Sequence, residues 1–116
     1  MKLEISQREI LPGIILITLA GRLMLGPEGA EFESVVKTLF EGGTRNIIID
    51  LGGLTHIDST GIGRCIAGLN KAMALKARLY MAGGKGQVRD SFRVTRLDRM
   101  FKFFETVDEA EKAIYI

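Results

Sequence analysis

One cysteine, Cys65, stands in the whole 116-residue sequence, so no disulfide can close within the chain. A single histidine, His56, joins it, and one of each falls short of the ligand set of a structural zinc site. No stretch approaches the ~18 uninterrupted apolar residues of a membrane-spanning helix. The longest run, Ile14 to Ala20, is strand-sized. The opening Met1-Lys2-Leu3-Glu4 offers no apolar core of a signal peptide. Charge of one sign is scarce as well: 16 basic residues against 14 acidic leave +2, where a nucleic-acid binder carries a basic excess on one face. Low-complexity segments, repeats and linkers are missing too. These absences lead us to expect a cytoplasmic protein in a reducing setting, with neither membrane nor nucleic acid as partner.

What is present suits one compact domain over residues 1–116. Hydrophobic residues make up 47% and charged residues an ordinary 26%. A chain of this size buries roughly two-thirds of its unfolded surface. Leu3 to Arg8 alternates apolar and polar, as a half-exposed strand does. Leu11-Pro12-Gly13 is a turn, and Ile14 to Leu19 a buried strand ending at Gly21, so the two predict an antiparallel hairpin. Gly26-Pro27 opens a helix, with Glu28 and Glu31 in its first turn. Phe32, Val35, Val36, Leu39 and Phe40 form its apolar stripe, and Gly42-Gly43 ends it.

Asn46 to Leu51 contains Ile47-Ile48-Ile49, the pattern of a strand covered on both faces. The glycines of Gly52 to Asp58 read as a loop, and a second helix is predicted from about Ser59 to Leu75, with Ile62, Ile66, Leu69 and Met73 on its stripe. Ala77 to Ala82 is a further strand, completing a right-handed parallel βαβ unit. Beyond the Gly83-Gly84-Lys85-Gly86 loop, Gln87 to Val94 reads as helix and Met100 to Phe104 as a short edge strand. Thr106 to Ala113 reads as a last helix, with Thr106 and Glu109 at capping-box spacing. The sum is an α/β sandwich: a mixed sheet of four or five strands with about four helices.

Chemistry concentrates in Thr55-His56-Ile57-Asp58-Ser59-Thr60-Gly61-Ile62-Gly63. Asp58, Ser59 or Thr60 can each cap the second helix, and a plain helix start needs no more than that. Gly61, Gly63 and Gly68, however, each weaken a helix by roughly 1 kcal/mol relative to alanine. Small residues leave a helix N-terminus open to close approach, and such a terminus favours negative groups, phosphate included.

Ile57-Asp58-Ser59-Thr60-Gly61-Ile62-Gly63 resembles the signature of STAS domains, named for sulfate transporters and anti-sigma antagonists. Arg45 to Leu51 resembles the strand that leads into it, and the order of elements agrees from about Leu3 to Ala113. The resemblance implies a STAS-like sandwich and a mechanism. Ser59 is the phosphoacceptor of an anti-sigma factor that is itself a serine kinase. The unphosphorylated domain holds that factor and frees the sigma factor; the phosphorylated domain lets go, and a phosphatase is the partner that resets it. Asp58, Thr60, Gly61, Gly63 and Arg64 are then partner-interface residues, with Arg64 at the rim, Ile62 packed inward, and Thr60 a cap or second acceptor. No cofactor is implied. A scaffold subunit of a larger stress-signalling assembly is the alternative within the family. Two departures stand out. The family commonly carries an acid just after the second strand, and Gly21 to Pro27 contains none. Where the family often has glycine after the third helix, this chain has Arg96, a strained residue if the backbone there needs positive φ.

Other readings fare worse. Asp58-Ser59-Thr60-Gly61 is off by one residue from the Asp-Thr/Ser-Gly of aspartic proteases. No Gly-x-Ser-x-Gly elbow surrounds Ser59, and His56 reads as a surface residue rather than a base, so no enzyme is expected. The Gly83 to Gly86 loop lacks the spacing of a phosphate-binding loop. Arg89, Arg93 and Arg96 fall at i, i+4, i+7 and read as a solvated helix face, or else as a dock for an acidic protein. Cys65 and the Phe101, Phe103, Phe104 cluster read as packing.

Overall fold

Ile47, Ile48 and Ile49 are all fully buried, which requires a strand with cover on both sides. The computed structural model, which describes residues 2–115, places them in β3 (Asn46–Ile57), the middle strand of a sheet ordered β1-β2-β3-β4-β5. The other strands are β1 (Glu4–Leu11), β2 (Ile14–Leu23), β4 (Arg78–Ala82) and β5 (Lys102–Phe104). β1 and β2 form the expected antiparallel hairpin, and every other pairing is parallel. Ile47 and Ile49 face the larger core, under α1 (Pro27–Glu41), α2 (Ser59–Ala74) and α3 (Gly86–Val94). Ile48 faces the smaller core, which Ala110 of α4 (Val107–Ile114) closes on the other side of the sheet. The architecture is therefore the expected mixed sheet, with five strands and four α-helices among the described residues.

Several termini form for the anticipated reasons. Pro27 is the first residue of α1, and Phe32, Val36 and Phe40 are its buried stripe, with Val35 and Leu39 packed at its side. Thr106 caps α4 by accepting a hydrogen bond from the Glu109 N–H at 3.1 Å.

The structure corrects two expectations. Gly52 to Asp58 is not a loop: β3 runs on to Ile57, paired with an extension of β2 to Leu23. Bulges between Thr18 and Ala20 and between Gly21 and Arg22 break the alternation that marks a strand. Gly53 is there for close approach, since a Cβ on it would sit 2.8 Å from the Leu19 carbonyl oxygen. The buried face of α2 is also shifted. Gly61, Cys65, Gly68, Leu69 and Ala72 face inward, Ile62 and Ile66 flank them, and Met73 is 67% exposed. α2 lies close enough to α1 that a Cβ on Gly68 would meet Val36 Cγ1 at 3.2 Å, so small residues occupy the contact and the large ones border it.

Phe92 anchors α3. It is fully buried and meets Phe101 and Phe103 edge-on, with ring centroids 5.7 and 5.2 Å away. Phe104 points to the opposite side of the sheet, against Tyr80 at 5.3 Å. The phenylalanine cluster is thus packing, as expected. Replacing Phe92 by alanine is expected to cost about 3–5 kcal/mol, read as a lower urea midpoint at unchanged slope; a loss below about 1 kcal/mol means the cluster does not seat α3.

Candidate functional site

β3 ends at Ile57, and the next residue leaves the sheet in an extended conformation to cap α2. That residue is Asp58. Its Oδ1 accepts from the Gly61 N–H at 2.8 Å, and its Oδ2 accepts from the Leu25 N–H at 3.0 Å, across 33 positions of sequence. One carboxylate therefore ties the start of α2 to the segment between β2 and α1. Partial burial works against its charge, but the N–H groups of Gly61, Leu25, Asp58 itself and Thr60 outweigh it and hold the carboxyl below its ordinary value. The cap expected of Thr60 is taken by Asp58, because the extended backbone at 58 aims its side chain at the free N–H groups of the first turn. Ser59 is the first residue of α2 and is exposed.

Gly61 is buried, and a Cβ on it would stand 2.2 Å from the Leu23 carbonyl oxygen. Its smallness is used inside the molecule, to seat α2 on the end of β2, rather than to admit a visitor. Gly63 is exposed, with nothing within 4 Å of where a Cβ would be. Arg64 turns toward α1. Its Nη1 donates to Glu33 Oε1 at 3.2 Å, its side chain is 20% exposed, and its Nε is buried without a partner among the described residues. Cys65, fully buried, has its thiol pushed up to about 12 by desolvation and is inert as a nucleophile.

An open groove of about 640 Å³ runs from Ser59 and Ile62 to Gln87, Ser91 and Val94 of α3. Gln87 makes its inner wall. Its Oε1 accepts from the Ile57 N–H and its Nε2 donates to the Ile57 carbonyl, both at 2.9 Å. A side-chain amide thus takes the place of a neighbouring strand, where β4 no longer pairs with β3. The same Nε2 donates to Ser91 Oγ at 2.8 Å. Leu25, 78% exposed, belongs to the segment Asp58 holds, and Val94, 79% exposed, lines the groove beyond Ser91. Sequence reasoning missed Leu25, Gln87, Ser91 and Val94. Nothing in the local pattern marks them, because each matters only through what lies about 30 positions away.

The rival features come apart. His56 is exposed on β3, its Nδ1 2.9 Å from Thr55 Oγ1. Arg89 lies 4.3 Å over the Phe103 ring, Arg93 faces Asp90 at 3.6 Å, and Arg96 falls beyond α3 in a left-handed conformation at φ 61°. The three arginines do not make one basic stripe, and Arg96 is indeed strained.

Known proteins share the family and the fold. Residues 6–110 match the STAS domain, and the chain belongs to that family. An anti-sigma-B factor antagonist of Staphylococcus aureus is 30% identical over 67 residues, which cover 58% of this chain and 62% of the relative, less than two thirds of its length. An anti-sigma factor antagonist from Mycobacterium paratuberculosis has the same fold at a TM-score of 0.85 and 17% identity, covering 99% of this chain and 96% of that one. The Bacillus cell fate determinant SpoIIAA in its phosphorylated form shares the fold at 0.76 and 20% identity, covering 96% and 99%. No helix among the described residues is long and apolar enough to cross a membrane.

Asp58→Ala is expected to cost about 0.5–2 kcal/mol through the lost cap. Because the folded carboxyl titrates below its unfolded value, the stability gained from its ionisation is present above the unfolded pKa of about 4 and fades as pH falls through the folded value. The gap between wild type and Asp58→Asn in urea titrations should therefore narrow on acidification; a gap that widens below pH 4 reverses the sign. Gly61→Ala should lower the melting temperature despite the better helix propensity of alanine, and a rise would mean that Leu23 yields.

Proposed function

We propose that this chain is an anti-sigma factor antagonist, a binding protein rather than an enzyme, switched by phosphorylation at Ser59. The observation that carries the reading is the setting of Ser59. An exposed hydroxyl opens α2 beside a carboxylate held ionised, at the head of a groove that ends at exposed Val94, with exposed Leu25 on the segment the same carboxylate grips. Exposed apolar side chains beside the site give a partner surface to bury, and the desolvated centre of an interface is where binding energy concentrates. The names of the Staphylococcus aureus and Mycobacterium paratuberculosis relatives support the same role.

The partner is an anti-sigma factor with serine kinase activity. It transfers the γ-phosphoryl group of ATP to Ser59 Oγ, its own base takes the hydroxyl proton, and ADP leaves; a phosphatase resets the switch. Asp58 fixes and charges the site, Thr60 and Gly63 border it, Gly61 seats the helix, and Arg64 stands one turn along toward α1. The setting is the cytoplasm, with no cofactor and neither nucleic acid nor membrane as partner. Phosphoserine adds about −1.5 to −2 charges at a helix terminus whose Gly61 N–H is already given to Asp58. The two anions repel, and among the described residues that line the groove none is a cation. A change of this size at an interface centre removes on the order of 2–4 kcal/mol, roughly 30- to 1,000-fold in affinity.

Affinity capture with wild type, Ser59→Ala and Ser59→Asp, followed by mass spectrometry of partners and of residue 59, tests this. A kinase-like anti-sigma factor should be retained by wild type and Ser59→Ala and lost by Ser59→Asp. Identical partners for all three, with residue 59 never modified, would instead support a scaffold subunit of a stress-signalling assembly.

A further inference from the structure

β1 is an edge strand of eight residues, and its charged residues, Glu4, Arg8 and Glu9, are of both signs. Edge strands avoid pairing with other chains through prolines, charges of one sign (lysine above all), bulges or a covering element. Between Glu4 and Leu11 there is neither proline nor lysine, and the one bulge falls at the far end, between Glu9 and Leu11. Glu4, Ser6, Gln7, Arg8 and Glu9 are exposed. Glu4 and Arg8 take part in no ion pair among the described residues.

We propose that β1 pairs antiparallel with β1 of a second copy of this chain, about a two-fold axis at Ser6. A strand that meets itself must be complementary to its own reverse, and the charges of β1 select one register. Facing residues in an antiparallel pair point to the same side of the sheet, so the position numbers of each facing pair must sum to an even value. A sum of 8 sets Glu4 against Glu4, 10 sets Lys2 against Arg8, and 16 sets Arg8 against Arg8, all like charges. A sum of 14 leaves Arg8 opposite Ser6 and Glu9 opposite Ile5. A sum of 12 sets Glu4 against Arg8 twice, Ile5 against Gln7 twice, and Ser6 against Ser6. A sum of 18 sets Glu9 against Glu9, and a sum of 6, though it sets Lys2 against Glu4, leaves no residue of β1 facing β1. Of the registers in which β1 faces β1, only the sum of 12 pairs opposite charges and opposes no like ones.

Packing beside the edge points the same way. Val35 and Leu39 of α1 are only partly buried, and with Gln7 they line a groove of about 260 Å³ along β1. A second β1 continues the sheet beneath that groove and closes its open side. Self-complementarity is what favours a second copy over a foreign strand. The dimer leaves the Ser59 sites free, since β2 separates β1 from β3, so the inference stands apart from the antagonist reading.

Sedimentation equilibrium over a range of concentrations tests it. Wild type should show a monomer–dimer equilibrium. Glu4→Arg and Arg8→Glu should each weaken it roughly five- to thirtyfold, since each puts like charges opposite one another twice, and the double swap should restore it. Circular dichroism of each variant confirms that it is folded. Under mild oxidation Ser6→Cys should give a covalent dimer faster than an exposed control, Lys112→Cys; fully buried Cys65 does not compete. A wild type that stays monomeric overturns the proposal. So does a dimer indifferent to both single swaps, or a Ser6→Cys protein that links no faster than the control.

Discussion

The Asp58 carboxylate is the interaction on which the rest of the site depends. Its two oxygens hold two N–H groups from distant parts of the chain, at Leu25 and Gly61. The first fixes the course of the chain between β2 and α1, and the second fixes the start of α2. Both bonds are stronger to an ionised acceptor, and the same N–H groups that it satisfies favour its ionised form. Structure and charge are therefore one fact here. The group that positions Ser59 also supplies the negative charge that a phosphoserine would have to face.

The second wall of the site is built by mimicry. β4 pairs with β3 only as far as Asp50, yet β3 continues to Ile57. At Ile57 the Gln87 amide supplies one acceptor and one donor, as a neighbouring strand would. α3 is thereby registered against the end of β3, and the Phe92, Phe101 and Phe103 rings hold it down from within. The chain then leaves α3 through Arg96, whose left-handed conformation costs a non-glycine residue about 1–2 kcal/mol. That cost is tolerated where the turn must return at once to Phe101 and β5.

Much of this was legible from residue patterns. Ile47-Ile48-Ile49 announced a strand buried on both faces, Pro27 and Thr106 announced helix starts, and Ile57 to Gly63 announced the family. The errors were of one kind. Gly52-Gly53 read as a loop and proved to be strand, with Gly53 answering to Leu19 across the sheet. Ile62, Ile66, Leu69 and Met73 read as the core stripe of α2; Leu69 is buried and Ile62 and Ile66 pack beside the core, but Met73 is exposed and the small residues Gly61, Cys65, Gly68 and Ala72 share the buried face. Gln87 and Leu25 carried no mark at all.

The sequence by itself determined the order of elements, most of their termini and the residues that carry chemistry. These depend on hydrogen bonding and burial over a few neighbouring positions, which local periodicity records. Tertiary structure alone decided how far β3 extends, which face of α2 is buried, which hydroxyl or carboxylate caps it, and what walls the groove. Those depend on close approaches between residues about 30 positions apart, such as Asp58 with Leu25 and Gln87 with Ile57. No local pattern encodes a distance that exists only once the sheet has formed.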